Sequence, residues 1–196
     1  DNNDASNNFL TVNGPSIDGN GDYIQDSGII DDAFVAVYGY NAAGTGQSGS
    51  NYSIYNHAND TGRNYIAPGQ AFFVAAESSS AANISFTTAM RTTSGGDDFI
   101  SGRLAQSDWS RFYLRLYEDE NFTSETKFYF EQGLSLGLDP GYDAGAMYQG
   151  DDLMSRLSEN DQGVGMAINA MGLTALGEET VIPLVLNRDA GVTFNI

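Results

Sequence analysis

Five residues near the amino terminus have the types and spacing of a calcium-binding loop. Side-chain oxygens occur at alternate positions, a backbone carbonyl follows and an acid ends the run: Asp18, Asn20, Asp22, Ile24 and Asp26. Hard cations bind such oxygen clusters, because carboxylates gathered at one point repel one another without a cation. Tyr23 replaces the glycine of such a loop, and Ile29 stands where a bidentate Glu is expected. Asp31 or Asp32 would then have to fold back, and the alternative is an Asp- and Gly-rich turn without an ion.

A second acidic segment gives a weaker prediction of the same kind. Asp139 and Asp143 flank a Pro-Gly-Tyr turn, and Asp151 and Asp152 follow eight residues later in the chain. Their oxygens are also the ligands that calcium prefers. Calcium is therefore the one cofactor that the sequence predicts.

Three aromatic residues predict a surface that binds sugars. Trp109, Tyr113 and Tyr117 are spaced so that the two tyrosines share one face of a strand. Amphipathic rings offer an apolar face and a polar edge to a glycan. The alternative is that these rings cover the second face of a sheet, where tyrosine is common.

Two short motifs that suggest catalysis lack the context that catalysis needs. Gly44-x-Gly46-x-x-Gly49 resembles a dinucleotide-binding loop, but a strand pattern follows it where a helix is required. Ser135 lies in a Gly-x-Ser-x-Gly motif, yet the only histidine, His57, precedes it in the chain, and Pro140 and Gly141 prevent a helix from following. Glu77 and Glu131 end predicted strands, where a carboxylate could serve a glycosidase cleft, but a solvated strand end is the favoured interpretation. We therefore predict no catalytic residues.

The charge of the chain excludes several classes of partner. Its 196 residues contain 8 Lys plus Arg and 26 Asp plus Glu, which gives a net charge of −18. A field of this sign repels phosphate backbones and anionic lipid, so neither nucleic acid nor a membrane surface is an expected partner. The chain has no cysteine, and no apolar run long enough to span a membrane. The amino-terminal residues do not form a signal peptide, which a secreted protein would already have lost.

Alternating polar and apolar residues dominate the rest of the chain. The segment Arg111–Tyr117 places Phe112, Leu114 and Leu116 on one face, and a second run, Thr126–Glu131, places Phe128 and Phe130 inward. A polar turn over Glu118–Ser124 would join them into a hairpin. Further predicted strands are Ala33–Tyr40, Gln70–Ala76, Asn83–Thr87, Val164–Asn169, Thr180–Leu186 and Val192–Ile196. One short helix is predicted over Asp151–Glu159.

These elements predict an all-β fold. Many short antiparallel strands separated by long Gly- and Asp-rich loops are typical of a β-sandwich or jelly roll. We expect a single domain over residues 1–196, in which an N-terminal lobe (1–95) and a C-terminal lobe (96–196) share a core.

Several segments, in a shared order, resemble a module common in large secreted and cell-surface proteins of Bacteroidetes-type bacteria. The pattern of that family runs IAPGQGFFV … ISFTNAMR, with GNPYPSAID near its start. The matching segments here are Ile66–Val74, Ile84–Arg91, Arg111–Tyr117, Gly137–Ala144, Glu179–Leu184 and Gly191–Ile196, with a degenerate match at Asn13–Asp18. The resemblance implies an exported, β-rich, non-catalytic module that often precedes a type 9 secretion sorting domain.

The sequence thus leads to a ranked set of functional hypotheses. The first is an extracellular structural or adhesive module of a bacterial surface protein, such as a subunit of a self-assembling fibre or surface layer, with other copies of itself as partners. The second is a carbohydrate-binding module that uses exposed aromatic residues to hold a polysaccharide. The third is an enzyme that acts on polysaccharide.

Overall fold

A computed structural model of the chain describes most of its residues. The described residues are 8–40, 52–59, 65–66, 68–77, 83–91, 110–147, 153–177, 179–187, 191, 193 and 195–196. They form eight strands, one α-helix and three short 3-10 helices. The helix α1 is Phe9–Asn13, and the 3-10 helices are Asp32–Phe34, Thr88–Met90 and Leu173–Leu176. The strands are β1 Val37–Tyr40, β2 Tyr52–Tyr55, β3 Ser110–Glu118, β4 Asn121–Glu131, β5 Ala144–Gly145, β6 Leu153–Ser155, β7 Met166–Gly172 and β8 Leu184–Leu186.

The longest strands, β3 and β4, form the predicted hairpin. Their turn is tighter than the sequence suggested, because Glu118 pairs with Asn121 and only two residues lie between them. Asp119 takes a positive φ of 54° there, a conformation that Asp tolerates and that two-residue hairpin turns require. The hairpin therefore fixes which side chains of β3 share a face with those of β4.

Six of the strands form one mixed sheet. Its order is β3-β4-β7-β6-β8, and β5 also pairs with β7. The pairing of β4 with β7 is parallel, whereas the other described ladders are antiparallel. Strands β1 and β2 form a separate two-stranded sheet. The prediction of an all-β fold is confirmed, with this one parallel pairing as a departure from the antiparallel pattern.

The larger core lies between the two sheets, against what we call the inner face of the six-stranded sheet. Tyr38 and Ile54 reach it from the small sheet, and Tyr129 and Ile168 reach it from the large one. Six of its eleven buried members are alanines, so the backbones approach closely and the two tyrosine rings fill the space. Residues from both predicted lobes thus share this core.

The opposite, outer face of the large sheet carries a smaller core. Phe128, Phe130 and Met171 are buried there under Leu136, Ala175 and Ile182. Phe112 stacks on Phe128 with ring centroids 4.5 Å apart, but it remains 44% exposed. The 3-10 helix Leu173–Leu176 and residues 181–183 form the thin layer that covers this face.

Several predicted elements differ in the structure. The predicted helix over Asp151–Glu159 is wrong, because Leu153–Ser155 form the buried strand β6 between β7 and β8. The segment Gln70–Ala76 makes only isolated bridges, at Phe73 and Ala76, and Asn83–Thr87 joins no ladder among the described residues. The sequence analysis missed α1, whose first turn is capped by the Asn8 side chain as it accepts a hydrogen bond from the Thr11 N–H.

Candidate functional site

Strand β3 presents a row of arginines and tyrosines toward the inner face. Arg111, Tyr113, Arg115 and Tyr117 alternate with the apolar residues that face the other way. Tyr113 packs against the larger core, and Tyr117 is partly exposed with its ring 6.0 Å from that of Phe122. Trp109, the third residue of the predicted glycan platform, lies outside the described residues. Tyr113 and Tyr117 both lie in β3, and the β3–β4 register shifts between Leu116 and Tyr117.

Three cationic side chains converge on the ring of Tyr113. The guanidinium carbon of Arg111 lies 6.0 Å from the ring centroid, that of Arg115 lies 5.8 Å away, and Lys127 Nζ lies 5.0 Å away. All three distances are within the range of cation–π attraction. Three cationic groups thus lie around the ring of Tyr113.

A buried carboxylate organises these cations. Glu125 Oε2 accepts a hydrogen bond from Arg115 Nε at 2.9 Å, and Glu125 Oε1 lies 3.3 Å from Lys127 Nζ. The Lys127 side chain is only 3% exposed, and burial lowers its pKa. The hydrogen bond to Glu125 raises the pKa of Arg115. Register brings these groups together, since Tyr113 pairs with Lys127 and Arg115 with Glu125.

The sequence analysis missed Lys127 and Glu125 as members of this site. Both lie in β4, where alternation places them on the face opposite Phe128 and Phe130. That alternation was visible in the sequence, but the partner of each residue on β3 depends on the length of the turn. Because the turn has two residues and not seven, the register could be assigned only from the structure.

The predicted calcium loop forms a compact hydrogen-bonded turn. Asp18 Oδ1 accepts hydrogen bonds from the backbone N–H groups of Asn20 and Asp22 at 2.8 and 3.0 Å. These bonds lower the pKa of Asp18. An isolated bridge between Ile17 and Tyr23 closes the turn. The Asp18 carboxylate thus already has partners within its own loop, as in the ion-free alternative.

The end of the same loop contacts Asp32. Asp32 Oδ2 accepts a hydrogen bond from the Asp26 N–H at 2.9 Å. Its other oxygen, Oδ1, is buried and has no hydrogen-bond partner in the described part of the chain. The carbonyl of Ile24, another predicted ligand, accepts hydrogen bonds from the N–H and hydroxyl of Ser27.

The second acidic segment is a junction between parts of the fold. Asp143 is fully buried, and its two oxygens accept hydrogen bonds from the N–H groups of Asp139 and Ala170, both at 2.7 Å. Burial raises the pKa of Asp143 well above the usual range. Asp139 in turn accepts two hydrogen bonds from Ser135. Asp151 and Asp152 lie outside the described residues.

His57 belongs to the same junction. Its backbone N–H donates to the Gly141 carbonyl at 2.6 Å, and its ring lies 5.5 Å from that of Tyr142. A Cβ on Gly141 would lie 2.7 Å from His57 Cδ2, and Gly141 has a φ of +85°, so only glycine fits there without strain. His57 and Ser135 thus make contacts that support the junction between elements.

Two further observations concern metals and membranes. Across the described ranges, no group of three or more His, Cys, Asp or Glu side chains is arranged to hold a metal ion. No helix among the residues that the structure describes has the length and hydropathy to cross a membrane.

Four carboxyl groups predict how stability depends on pH. Burial is the main cause that raises the pKa above that of an ordinary aspartate in Asp31, Asp32, Asp139 and Asp143. The folded state therefore binds these protons more tightly than the unfolded chain does. Their contribution is complete below the unfolded pKa and is lost as pH rises through each folded pKa. Asp18, whose pKa is lowered, acts in the opposite direction.

We expect the free energy of unfolding, measured by urea denaturation, to increase when the pH falls from about 6 to about 4. Asp32→Asn removes one of the four groups and should make this dependence shallower. A dependence of the same steepness in the variant, or stability that decreases over this interval in the wild type, would contradict the account.

Calcium binding at the predicted loop would raise the melting temperature. An ion that binds only the folded state stabilises it in proportion to the logarithm of its concentration. We expect a higher melting temperature in millimolar calcium than in chelator, and expect Asp22→Asn to remove the difference. Asp119→Asn, in the β3–β4 turn, is the control that should retain it. Equal melting temperatures of the wild type in calcium and chelator would refute the prediction.

Comparison with known proteins gives one match. No curated protein and no solved structure matches this chain. One family matches, with the description "Domain of unknown function (DUF8693)", over residues 5–196. Since the match spans almost the whole sequence, the chain belongs to this domain family.

Proposed function

We propose that the chain is a non-catalytic structural or adhesive module of an extracellular, cell-surface protein. We further propose that it binds other copies of itself through the outer face of the six-stranded sheet. The proposal rests on the large apolar side chains that this face exposes to solvent.

The thin layer over the outer face is apolar on both of its sides. Ala175 and Ile182 point inward and pack on the core of Phe128 and Phe130. Their neighbours Leu176 and Val181 point outward and are 54% and 76% exposed. Leu173, Leu184, Leu186 and Phe112 are further exposed apolar side chains, with Phe112 on the β3 edge of the sheet and the two β8 leucines on the opposite edge. Large apolar side chains exposed on one face mark interaction surfaces in proteins.

A second copy is the occupant that the charge distribution favours. Residues 173–177 and 181–186 contain no charged side chain, although the whole chain carries a net charge of −18. The exposed Glu179 lies between these two segments in the chain, so two copies that meet here also bring one acidic group from each copy close to the contact. The remaining acidic surface repels at longer range, so added salt should favour association by screening that repulsion.

The cell-surface location is supported by the resemblance found in the sequence. The family segments recur here in the same order from Asn13 to Ile196, and they imply export and a non-catalytic role. Ser135 of the Gly-x-Ser-x-Gly motif donates a hydrogen bond to the Asp139 carboxylate, and the His57 N–H donates one to the Gly141 carbonyl. Both residues thus support the packing of neighbouring elements. These contacts favour a module that binds through its surface over one that catalyses a reaction.

Light scattering of the purified chain tests this proposal. In moderate salt we expect a mass that is a multiple of 21.0 kDa, with a larger mass at higher salt. The double variant Leu176→Gln/Val181→Gln should be monomeric, because it places polar groups in the centre of the contact. Ile17→Gln removes a similarly exposed apolar side chain from the amino-terminal turn and should associate like the wild type.

A wild type that stays monomeric at every salt concentration would overturn the proposed self-association. A double variant that associates as strongly as the wild type would show that the outer face is not the contact. Circular dichroism of the two variants controls for unfolding, and we expect both to fold because all three substituted side chains are exposed.

A further inference from the structure

Strand β8 forms one edge of the six-stranded sheet. It pairs antiparallel with β6, and just before it the Arg156 N–H donates a hydrogen bond to the Pro183 carbonyl at 2.9 Å. The backbone groups of successive residues in a strand point to opposite sides. Those of Val185 therefore face β6, and those of Leu184 and Leu186 face away from the sheet. Among the residues that the structure describes, none forms a backbone hydrogen bond with these outward groups.

The side chains along this edge are apolar and uncharged. Val185 packs against the larger core on the inner face, so its neighbours Leu184 and Leu186 lie on the outer face, where they are 45% and 38% exposed. Residues 181–187 contain no charged side chain, although the whole chain carries a net charge of −18. An uncharged edge strand with unpaired backbone groups is a template for pairing with another strand.

The opposite edge of the sheet, strand β3, is protected against such pairing. Near its end, Tyr117 exchanges two backbone hydrogen bonds with Asn195, both at 2.9 Å. The β3–β4 register also shifts between Leu116 and Tyr117, and Arg111 and Arg115 place charges along the strand. Irregular pairing and charged side chains are common protections of an edge strand. The described residues of β8 have neither feature, so β8 is the edge that favours association.

We propose that β8 pairs antiparallel with β8 of a second copy, around a two-fold axis that passes between the two Val185 residues. In this register Leu184 of each copy lies opposite Leu186 of the other, and each such pair exchanges both of its backbone hydrogen bonds. The paired leucines also contact each other across the strands on the outer face. The pairing joins the six-stranded sheets of the two copies into one continuous sheet.

A second copy fits this edge because the edge is complementary to itself. The two-fold axis gives every outward N–H group of β8 a carbonyl partner, and it brings only apolar side chains together. Three residues make too short a strand to hold two chains alone, so the inference rests on the proposed self-association, in which the exposed Leu176 and Val181 add apolar contact. Since the same surface is used on both copies, the contact closes at a dimer.

Amide hydrogen exchange tests the inference residue by residue. The wild type is measured at a high concentration, where light scattering shows dimers, and again after dilution to monomers. We expect the Leu184 and Leu186 amides to exchange at least about tenfold more slowly in the dimer, because their N–H groups are hydrogen-bonded only there. The Val185 amide faces β6 in both states, so it is the internal control whose exchange should change little.

A pair of variants assigns the effect to the backbone of β8. Leu186→Pro removes an outward N–H but no hydrogen bond to β6, and proline is tolerated at edge positions of this kind. Leu186→Ala is the matched control, because it also loses the leucine side chain but keeps the N–H. We expect Leu186→Pro to associate at least about tenfold more weakly than Leu186→Ala, since two hydrogen bonds across the axis are lost. Melting curves show whether each variant is folded.

Two results would overturn the strand pairing and leave the proposed self-association in place. The first is a wild-type dimer whose Leu184 and Leu186 amides exchange as fast as in the monomer, which would mean that the copies meet through the outer layers alone. The second is a folded Leu186→Pro variant that associates as strongly as Leu186→Ala. A wild type that stays monomeric at every concentration would overturn both proposals.

Discussion

The two hydrogen bonds to the buried carboxylate of Asp143 are the constraint on which the arrangement of the two sheets depends. They join the turn at Asp139 to Ala170 in β7. Residues close to Asp143 then contact the small sheet. The Tyr142 carbonyl accepts a hydrogen bond at 2.5 Å from Nδ2 of Asn56, which directly follows β2. The Gly145 carbonyl accepts one at 2.8 Å from the hydroxyl of Tyr38 in β1. An unpaired carboxylate in this position would be costly, so its partners must stay in place.

This junction explains why the six-stranded sheet has two faces of different character. The inner face is closed by the small sheet, and its core holds large rings among alanines. The outer face is closed only by a thin layer, whose far side remains apolar and exposed. At the edge of the six-stranded sheet, the Tyr113 side chain of β3 still packs against this core. The proposed self-association surface is thus a consequence of the thin cover on the outer face.

The sequence predicted the parts of the fold that local pattern determines. Alternation identified the β3–β4 hairpin and the buried Phe128 and Phe130. It could not reveal the parallel pairing of β4 with β7, because that contact joins segments far apart in the chain. For the site, Tyr113 and Tyr117 were found from their spacing, but Lys127 and Glu125 depended on register. The helix predicted over Asp151–Glu159 failed because burial within a sheet overrides weak local propensity.

The most direct test of this account is amide hydrogen exchange in an Asp143→Asn variant compared with the wild type. Asn has one acceptor oxygen where two N–H groups need partners, so the junction should open. We predict that protection falls together at Ala170 in β7, at Tyr38 in β1 and at Ile54 in β2, because all three depend on the junction. Loss of protection confined to residues 139–143, with β1, β2 and β7 unchanged, would contradict the claim that Asp143 holds the two sheets together.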